Sequence, residues 1–462
     1  MKFKQILFLI LFTNAVFAQV PLNELSFNEY LGFVKKFHPL VKIANLEISE
    51  SQANLMLARG AFDPKIEVDF DKKQFKDKEY YSILNSSFKI PTWYGIEIKA
   101  GFENSEGVFI NPENQLPLNG LASLGLNIPI GQGLFINQRM ADIRKAKIQL
   151  QLSKSIQRIE SIDVLYDASI AYFNWKKSFD EMTLYENYLK NAQIRFSGIE
   201  ILIANGDKPA IDSVEAEIIV KNRQLSVEDA KLKLNKAKLE LSNYLWLDNN
   251  IPFELQDNIV PENTIYKSIK DIFKTQNLLI EKVSIVNHPK INALENKIDM
   301  LTIDRKLKSN MLLPRVDLSY YQLSDSGLIQ NSNFNDYKLG LNFSFPLFLR
   351  KERAGVKLAE FKIQDTQFQL ESEKLQITNK IKSQQFEINS LEKQQKIIDD
   401  LVKNYNTMLQ SEERLFSFGE SSIFLINSRE NSLVGSQISL ISIIYKFLIA
   451  NADLFKTTVN ID

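Results

Sequence analysis

The sequence predicts a mainly α-helical chain that also carries a transmembrane β-barrel, laid out twice on one helix–strand–strand–long-helix–long-helix plan. Three observations predict it. His-Pro occurs at His38-Pro39 and again at His288-Pro289, and 26 residues after each histidine a second proline, Pro64 or Pro314, opens an alternating segment. Long apolar heptads follow in each half. The alternating segments have one apolar and one polar face, whereas no segment beyond the N-terminus reads as a membrane-spanning helix.

Taken in order, "MKFKQILFLILFTNAVFAQ" has the parts of a secretory leader. Lys2 and Lys4 form the charged start, Ile6 to Phe12 the apolar stretch, and Val16-Phe17-Ala18 a small-residue cleavage site. Residues 1–18 are therefore expected to be removed, leaving Gln19 first. The most apolar later stretch, "ISLISIIYKFLIA" from Ile438, is 13 residues long and contains Lys446. A helical span needs about 20 apolar residues. An exported chain of this kind is either soluble or inserted as a β-barrel.

Composition removes other classes. There is no cysteine, hence no disulfide, zinc-thiolate site, cysteine nucleophile or lipid-modified N-terminal cysteine. Lys plus Arg and Asp plus Glu stand at 56 each, and loss of the leader leaves 54 basic residues against 56 acidic ones. Such a balance supplies no basic face for nucleic acid. No Gly-x-Ser-x-Gly elbow, Gly-rich phosphate loop or His/Asp/Glu metal spacing is found, so no catalytic residue, metal or cofactor is expected.

The internal repeat is carried by three anchors in the same order. "PKIEVDF" at Pro64 lies over "PRVDLSY" at Pro314, "LGLN" at Leu124 over "LGLN" at Leu339, and "KIQ" at Lys147 over "KIQ" at Lys362. The offset falls from 250 to 215, so the first copy holds about 35 extra residues between its first two anchors. The expected layout is a first repeat over 19–250, a connector over 251–275 and a second repeat over 276–462.

Few Pro or Gly interrupt Leu134 to Ala204 or Leu347 to Ser417. About 70 helical residues at 1.5 Å each reach roughly 100 Å, so the helices are expected to run side by side as a rod or tube. Heptad spacing marks their packing stripes. Ile218, Leu225, Leu232, Leu239 and Trp246 recur every seven residues, and Leu391, Ile398, Val402, Tyr405 and Leu409 form a second series.

In the strands Ile66, Val68 and Phe70 alternate with Glu67, Asp69 and Asp71, and Val316, Leu318 and Tyr320 alternate with Asp317 and Ser319. A half-buried soluble sheet gives this period of two, and so does a barrel with lipid outside and a wet lumen. Helices too long to cover the strands favour the barrel, and Trp93, Tyr94, Tyr320, Tyr321 and Tyr337 fit an interfacial girdle. The first-copy insert, "EYYSILNSSFKIPTWYGIEIKAGFENSEG", holds another candidate pair, so four and six strands per chain both stay open. The segment "VFINPENQLPLNG" reads as a surface loop. Four to six strands cannot close a spanning barrel, since the smallest use about eight. Open edges in lipid leave backbone groups unpaired at several kcal/mol each, so association must supply the missing strands.

The joints "FHPLVKIA" and "NHPKINAL", the strand openers "FDPKIEVD" and "LLPRVDLS", and the "LGLN" strands leading into long helices together resemble the TolC-like outer-membrane efflux protein family. The turns "IANGDKPAIDSVEAE" and "LFSFGESSIFLINSRE" look like that family's helical-hairpin tips, with Gly206 and Gly419 at the reversals. The resemblance covers essentially the whole mature chain, and its specificity lies in the order and duplication of the motifs. It implies a homotrimeric α/β barrel duct, with strands of each protomer in one shared barrel in the outer-membrane lipid and helices in one periplasmic tube. It also implies a periplasmic adaptor and an inner-membrane transporter as partners. The insert departs from the family pattern and puts the strand count in doubt.

Three sets of residues are singled out. Around the tips, Gly206, Asp207, Asp212, Gly419 and Glu420, with Arg195 and Arg414 before the turns, are candidate gate residues. In a trimer an axis-facing acid becomes a ring of three that concentrates cations; the alternative is a solvated helix-end acid. Glu67, Asp69, Asp71 and Asp317 are candidate lumen residues, or else charges on a soluble sheet. His38, Pro39, His288 and Pro289 are read as helix joints, because proline suits a first helical turn and excludes helix from the residue before it. A histidine metal pair is the functional alternative. The expected function is an outer-membrane exit duct of an efflux or type I secretion system, working without chemistry of its own. The alternative is an exported periplasmic coiled-coil scaffold or adaptor.

Overall fold

The computed structural model describes residues 24–275, 285–325 and 335–459. The expected leader and its cleavage site lie outside these residues. In chain order the elements are β1 (Glu24–Leu25), α1 (Phe27–Phe37), α2 (Pro39–Gly60), β2 (Lys65–Phe75), β3 (Lys78–Pro91), β4 (Glu97–Glu106), β5 (Leu121–Pro129), α3 (Gln138–Ala204) and α4 (Ile211–Ser242). There follow β6 (Trp246–Leu247), β7 (Ile251–Pro252), β8 (Val260–Pro261), α5 (Ile265–Ile272), α6 (Pro289–Asn310), β9 (Arg315–Ser324), β10 (Tyr337–Ser344), α7 (Arg350–Ser417) and α8 (Ile423–Thr458). Contacts divide the chain into two compact units, residues 1–43, 160–283 and 379–462, and residues 44–159 and 284–378.

The second unit holds the sheet. Its six strands lie in the order β10-β9-β5-β4-β3-β2, every neighbouring pair antiparallel. The insert thus contributes two full strands, so among the described residues this sheet has six strands rather than four. The register sets one apolar face throughout. Ile66 pairs with Phe88, Phe88 with Ala100 and Ala100 with Leu124. Leu126 pairs with Tyr320, Tyr320 with Leu339 and Leu318 with Leu341. The opposite face takes Glu67, Asp69, Asp71, Lys89, Lys99, Asp317 and Lys338. Tyr321 also lies on it, opposite Gly125 and Lys338, which removes Tyr321 from the expected lipid-facing girdle. Alternation already set Tyr320 with Val316 and Leu318 on the apolar face, and the register agrees.

Turn chemistry shapes the sheet. Lys76 and Asp77, both with positive φ (51° and 56°), close the β2–β3 hairpin in two residues. That pair of conformations is what a twisted two-residue hairpin needs. Gly125 lies where an added Cβ would stand 2.0 Å from the Tyr320 carbonyl oxygen. The LGLN glycine therefore permits close approach of β5 and β9, and any larger residue there would force the strands apart.

The two His-Pro joints fold alike. His38 closes α1 with ψ 129°, and its Nδ1 accepts from the Leu40 amide at 3.3 Å. His288 caps α6 with ψ 128°, and its Nδ1 accepts from the Lys290 amide at 3.2 Å. Each proline then begins a helix of 22 residues. Both imidazoles are buried, and each satisfies one of the amides that a helix start leaves unbonded.

In the first unit, α3 residues around Tyr172, Phe173 and Trp175 are covered by α1, α5 and α8. Phe27 packs on Tyr172 and Phe173 at 5.1 Å between ring centroids, and Phe273 stacks on Phe455 at 4.6 Å. The connector expected over 251–275 supplies β7, β8 and α5, and β8 pairs in parallel with β1. One expectation about helices is corrected. The helix α8 contains an 18-residue window of mean hydropathy 1.7, long and apolar enough by length and composition to cross a membrane. The 13-residue stretch judged too short is part of a 36-residue helix. Its apolar residues Ile426, Leu433, Val434, Leu448 and Leu454 are buried within the protein.

Candidate functional site

Two places concentrate polar groups in an organised way: the hairpin ends of the first unit and the polar face of the sheet in the second. The hairpin ends share one backbone device. α3 is closed by Gly206 (φ +86°), whose amide donates to Ile203, while the Asp207 amide donates to Leu202, both at 2.9 Å. α7 is closed by Gly419 (φ +77°), whose amide donates to Phe416, while the Glu420 amide donates to Leu415, both at 3.0 Å. This is the paired-bond cap that follows a left-handed residue, with glycine placed where a Cβ is penalised. The two acids, Asp207 and Glu420, occupy the same position after their glycines. Both are exposed.

Below the turns the hairpins pack on one another. Ile199, Ala216 and Ile423 form a buried cluster with Phe196, Ile203 and Phe416 against it. A second cluster joins Tyr188, Leu409, Ile426, Leu433 and Val434. Between the two lies an ion network. Glu430 of α8, with its side chain 1% exposed, accepts from Arg195 Nη2 of α3 at 2.8 Å and from Arg223 Nη2 of α4 at 3.3 Å. Arg223 Nη2 also reaches Asn431 Oδ1 at 2.7 Å, and Arg195 lies 3.8 Å from Glu413 of α7. The Arg223 guanidinium stands 5.8 Å over the Tyr188 ring. Burial first, and then the nearby Glu430 charge, push the Tyr188 hydroxyl up to about 12, so it stays protonated and donates to Gln437 Oε1 at 2.5 Å.

Arg195 pairs with Glu430 rather than Asp207 or Asp212, and among the described residues neither of those acids makes an ion pair. Nine residues separate Arg195 from the last residue of α3, about 14 Å of helix at 1.5 Å each, beyond side-chain reach. Asp212 sits in the first turn of α4, where a carboxylate is favoured by the helix dipole. Arg414 is exposed and likewise pairs with no acid among the described residues. Glu412 pairs with Arg429 at 3.5 Å and accepts from Ser421 at 2.5 Å, tying α7 to the start of α8. Glu430, Arg223 and Arg429 were not singled out from sequence. A signal existed, since Arg429 and Glu430 are a charged pair inside the apolar run of α8.

On the sheet, Glu67 pairs with Lys89, Glu97 with Arg139 at 2.6 Å, and Asp317 with Arg315 at 2.8 Å. Asp69 and Asp71 share the polar face of β2. Among the described residues no group of three or more His, Cys, Asp or Glu is placed to hold a metal. The histidines cap helices 250 positions apart in sequence.

Comparison with known proteins follows the same lines. The family model described as Outer membrane efflux protein matches residues 282–458. No curated protein matches the sequence. Among solved structures, the open-state MtrE outer membrane channel of Neisseria gonorrhoeae superposes with TM-score 0.67 at 13% identity, covering 94% of this chain and 88% of that one. A membrane protein from Pseudomonas aeruginosa gives TM-score 0.66 at 17% identity, covering 94% and 92%. The Campylobacter jejuni CmeC outer membrane channel gives 0.64 at 13%, covering 94% and 85%. The MtrE and CmeC structures are outer membrane channels and not enzymes. The resemblance to TolC-like outer-membrane efflux proteins is borne out: residues 282–458 match that family's model, on a fold shared along 94% of the chain with solved outer-membrane channels.

Proposed function

We propose that the chain is the outer-membrane channel, the exit duct, of a multi-component efflux or type I secretion system. It works as a homotrimer and does no chemistry. The two halves are duplicated protomer repeats, 19–250 and 276–462, joined by the connector 251–275. The sheet lies in the outer membrane and the helices in the periplasm, where the tips at Gly206 and Gly419 meet an adaptor fed by an inner-membrane transporter.

The observation that carries this reading is the sheet, with one continuous apolar face, one charged face and two bare edges. A soluble sheet of six strands would bury its apolar face. Here Ile66, Val68, Phe70, Leu339, Leu341 and Phe343 are all exposed, which fits contact with lipid. The helices support the same reading: Ile218, Leu225, Leu232 and Leu239 of α4 form an exposed heptad stripe, suited to a second copy of the chain. In this duct the network of Arg195, Arg223 and Glu430 latches the tip helices, and its release opens them as an iris. Asp207, Asp212 and Glu420 are each repeated three times about the axis, and Glu67, Asp69, Asp71 and Asp317 line the lumen.

Fractionation tests the assignment. The protein is expected in detergent-extracted outer membrane and, when reconstituted in planar bilayers, to conduct. Recovery in the detergent-free periplasmic fraction would instead support a coiled-coil scaffold.

A further inference from the structure

Resting on the trimeric channel reading, we propose that β2 of one copy pairs antiparallel with β10 of the next, Lys65 opposite Ser344 through Lys72 opposite Tyr337. Three copies of the six-stranded sheet then close an 18-stranded barrel.

Direction comes first. The sheet is antiparallel at every step, so its two edge strands, separated by five steps, run in opposite directions. Copies placed edge to edge therefore continue the alternation without a parallel pair. Both edges carry unpaired backbone donors and acceptors, which cannot be left open in lipid.

The stagger inside the sheet fixes the register. One row of partners runs Lys65, Lys89, Lys99, Gly125, Tyr321, Lys338. Lys65 is the first residue of β2, whereas Lys338 stands six residues before the end of β10 at Ser344. The strand bases thus slip by six residues across the sheet. Levelling them at the junction, Lys65 against Ser344, makes the slip six residues per six strands, a shear equal to the strand number. A barrel of eight strands and shear 8 has that ratio and a tilt of about 36°, inside the roughly 35–45° of transmembrane barrels.

Chemistry agrees with the geometry. In this register Ile66 faces Phe343, Val68 faces Leu341 and Phe70 faces Leu339 on the outside, while Asp71 faces Lys338 inside. A slip of one residue would set apolar against polar faces. A slip of two in one direction flattens the tilt to about 26°. In the other direction the tilt is about 44°, but Lys73, at the bulge of β2, comes to face Lys338. Only the levelled register satisfies tilt and charge together. The barrel it closes is roughly 34 Å across its backbone at a strand spacing of about 4.8 Å, in the size class that leaves an aqueous channel.

The native chain has no cysteine, so engineered pairs report without background. Two double variants are oxidised in isolated outer membranes, Glu67→Cys with Asn342→Cys inside and Val68→Cys with Leu341→Cys outside. Adjacent antiparallel pairs alternate between about 4.5 and 5.5 Å, both within disulfide reach, so at least one must link. The expected result is a covalent trimer on non-reducing gels, absent from each single variant. Linkage instead through Glu67→Cys with Ser344→Cys would overturn the register. If no pair links a protein that native mass spectrometry in detergent shows as a trimer, the edge pairing is overturned and the channel reading stands; a monomer overturns both. In a second test Asp71→Lys is expected to lower the heat-resistant trimer fraction about two- to fivefold and added Lys338→Asp to restore it. Failure of the reversal to rescue counts against the Asp71–Lys338 contact and with it the register.

Discussion

Glu430 is the residue on which the tip network depends. A carboxylate this deeply buried is tolerable because two guanidiniums satisfy it, each of which also donates to a neighbouring asparagine, Asn427 or Asn431. Replacing it by Gln removes the counter-charge from two half-buried guanidiniums, leaving Arg195 only Glu413 at 3.8 Å. The expected loss is about 3 kcal/mol, the lower end for breaking a buried pair, read as a lowered melting temperature and as raised conductance in planar bilayers. Unchanged conductance would mean that the network holds the helices together without gating them. His38 makes a second prediction. Burial holds its imidazole below the usual histidine range, partly offset by a hydrogen bond to the Asn243 backbone. As pH falls through about 6.5 the unfolded chain takes up the proton first. Stability contributed by neutral His38 is therefore complete above that pH, declines below it and levels off once the folded imidazole also titrates. His38→Asn keeps an acceptor for the Leu40 amide and removes the titration. The drop in melting temperature between pH 7.5 and 5.5 should be smaller in this variant than in the native chain.

At the scale of elements, much was legible in the sequence. His-Pro marked the joints because proline restricts the residue before it, and period-two alternation marked the faces of β2, β9 and β10. What periodicity does not encode is the partner. The α4 heptad was read as a packing stripe, yet Leu225 is 72% and Leu232 54% exposed, while α4 buries Ala216, Val220, Ala230, Ala237 and Leu241 inside the chain. On α7 the heptad through Leu391 and Leu409 is the internal one. Equal spacing thus served two different neighbours. The strand count was ambiguous for a related reason: the β2–β3 turn is Lys76-Asp77, without the Asn-Gly pair that announces such hairpins. Arg195 found Glu430 across 235 positions, a separation no local pattern reports. Leu225→Ala with Leu232→Ala tests the exposed stripe. Buried leucines contribute about 1.5–3 kcal/mol each, so the double variant should lose trimer in dilute detergent while keeping its helical circular dichroism. Retention of trimer would assign the stripe to another partner.

For the whole molecule, the central claim is that sheet and helices are unfinished in one chain and completed by two more. Edge strands in lipid and apolar heptads in water are both costly when bare, and association of identical copies removes both costs together. The most direct measurement is the mass of the purified protein by native mass spectrometry after extraction from outer membranes. The account predicts a detergent-dependent species of three chains. A monomer that stays soluble without detergent would contradict it.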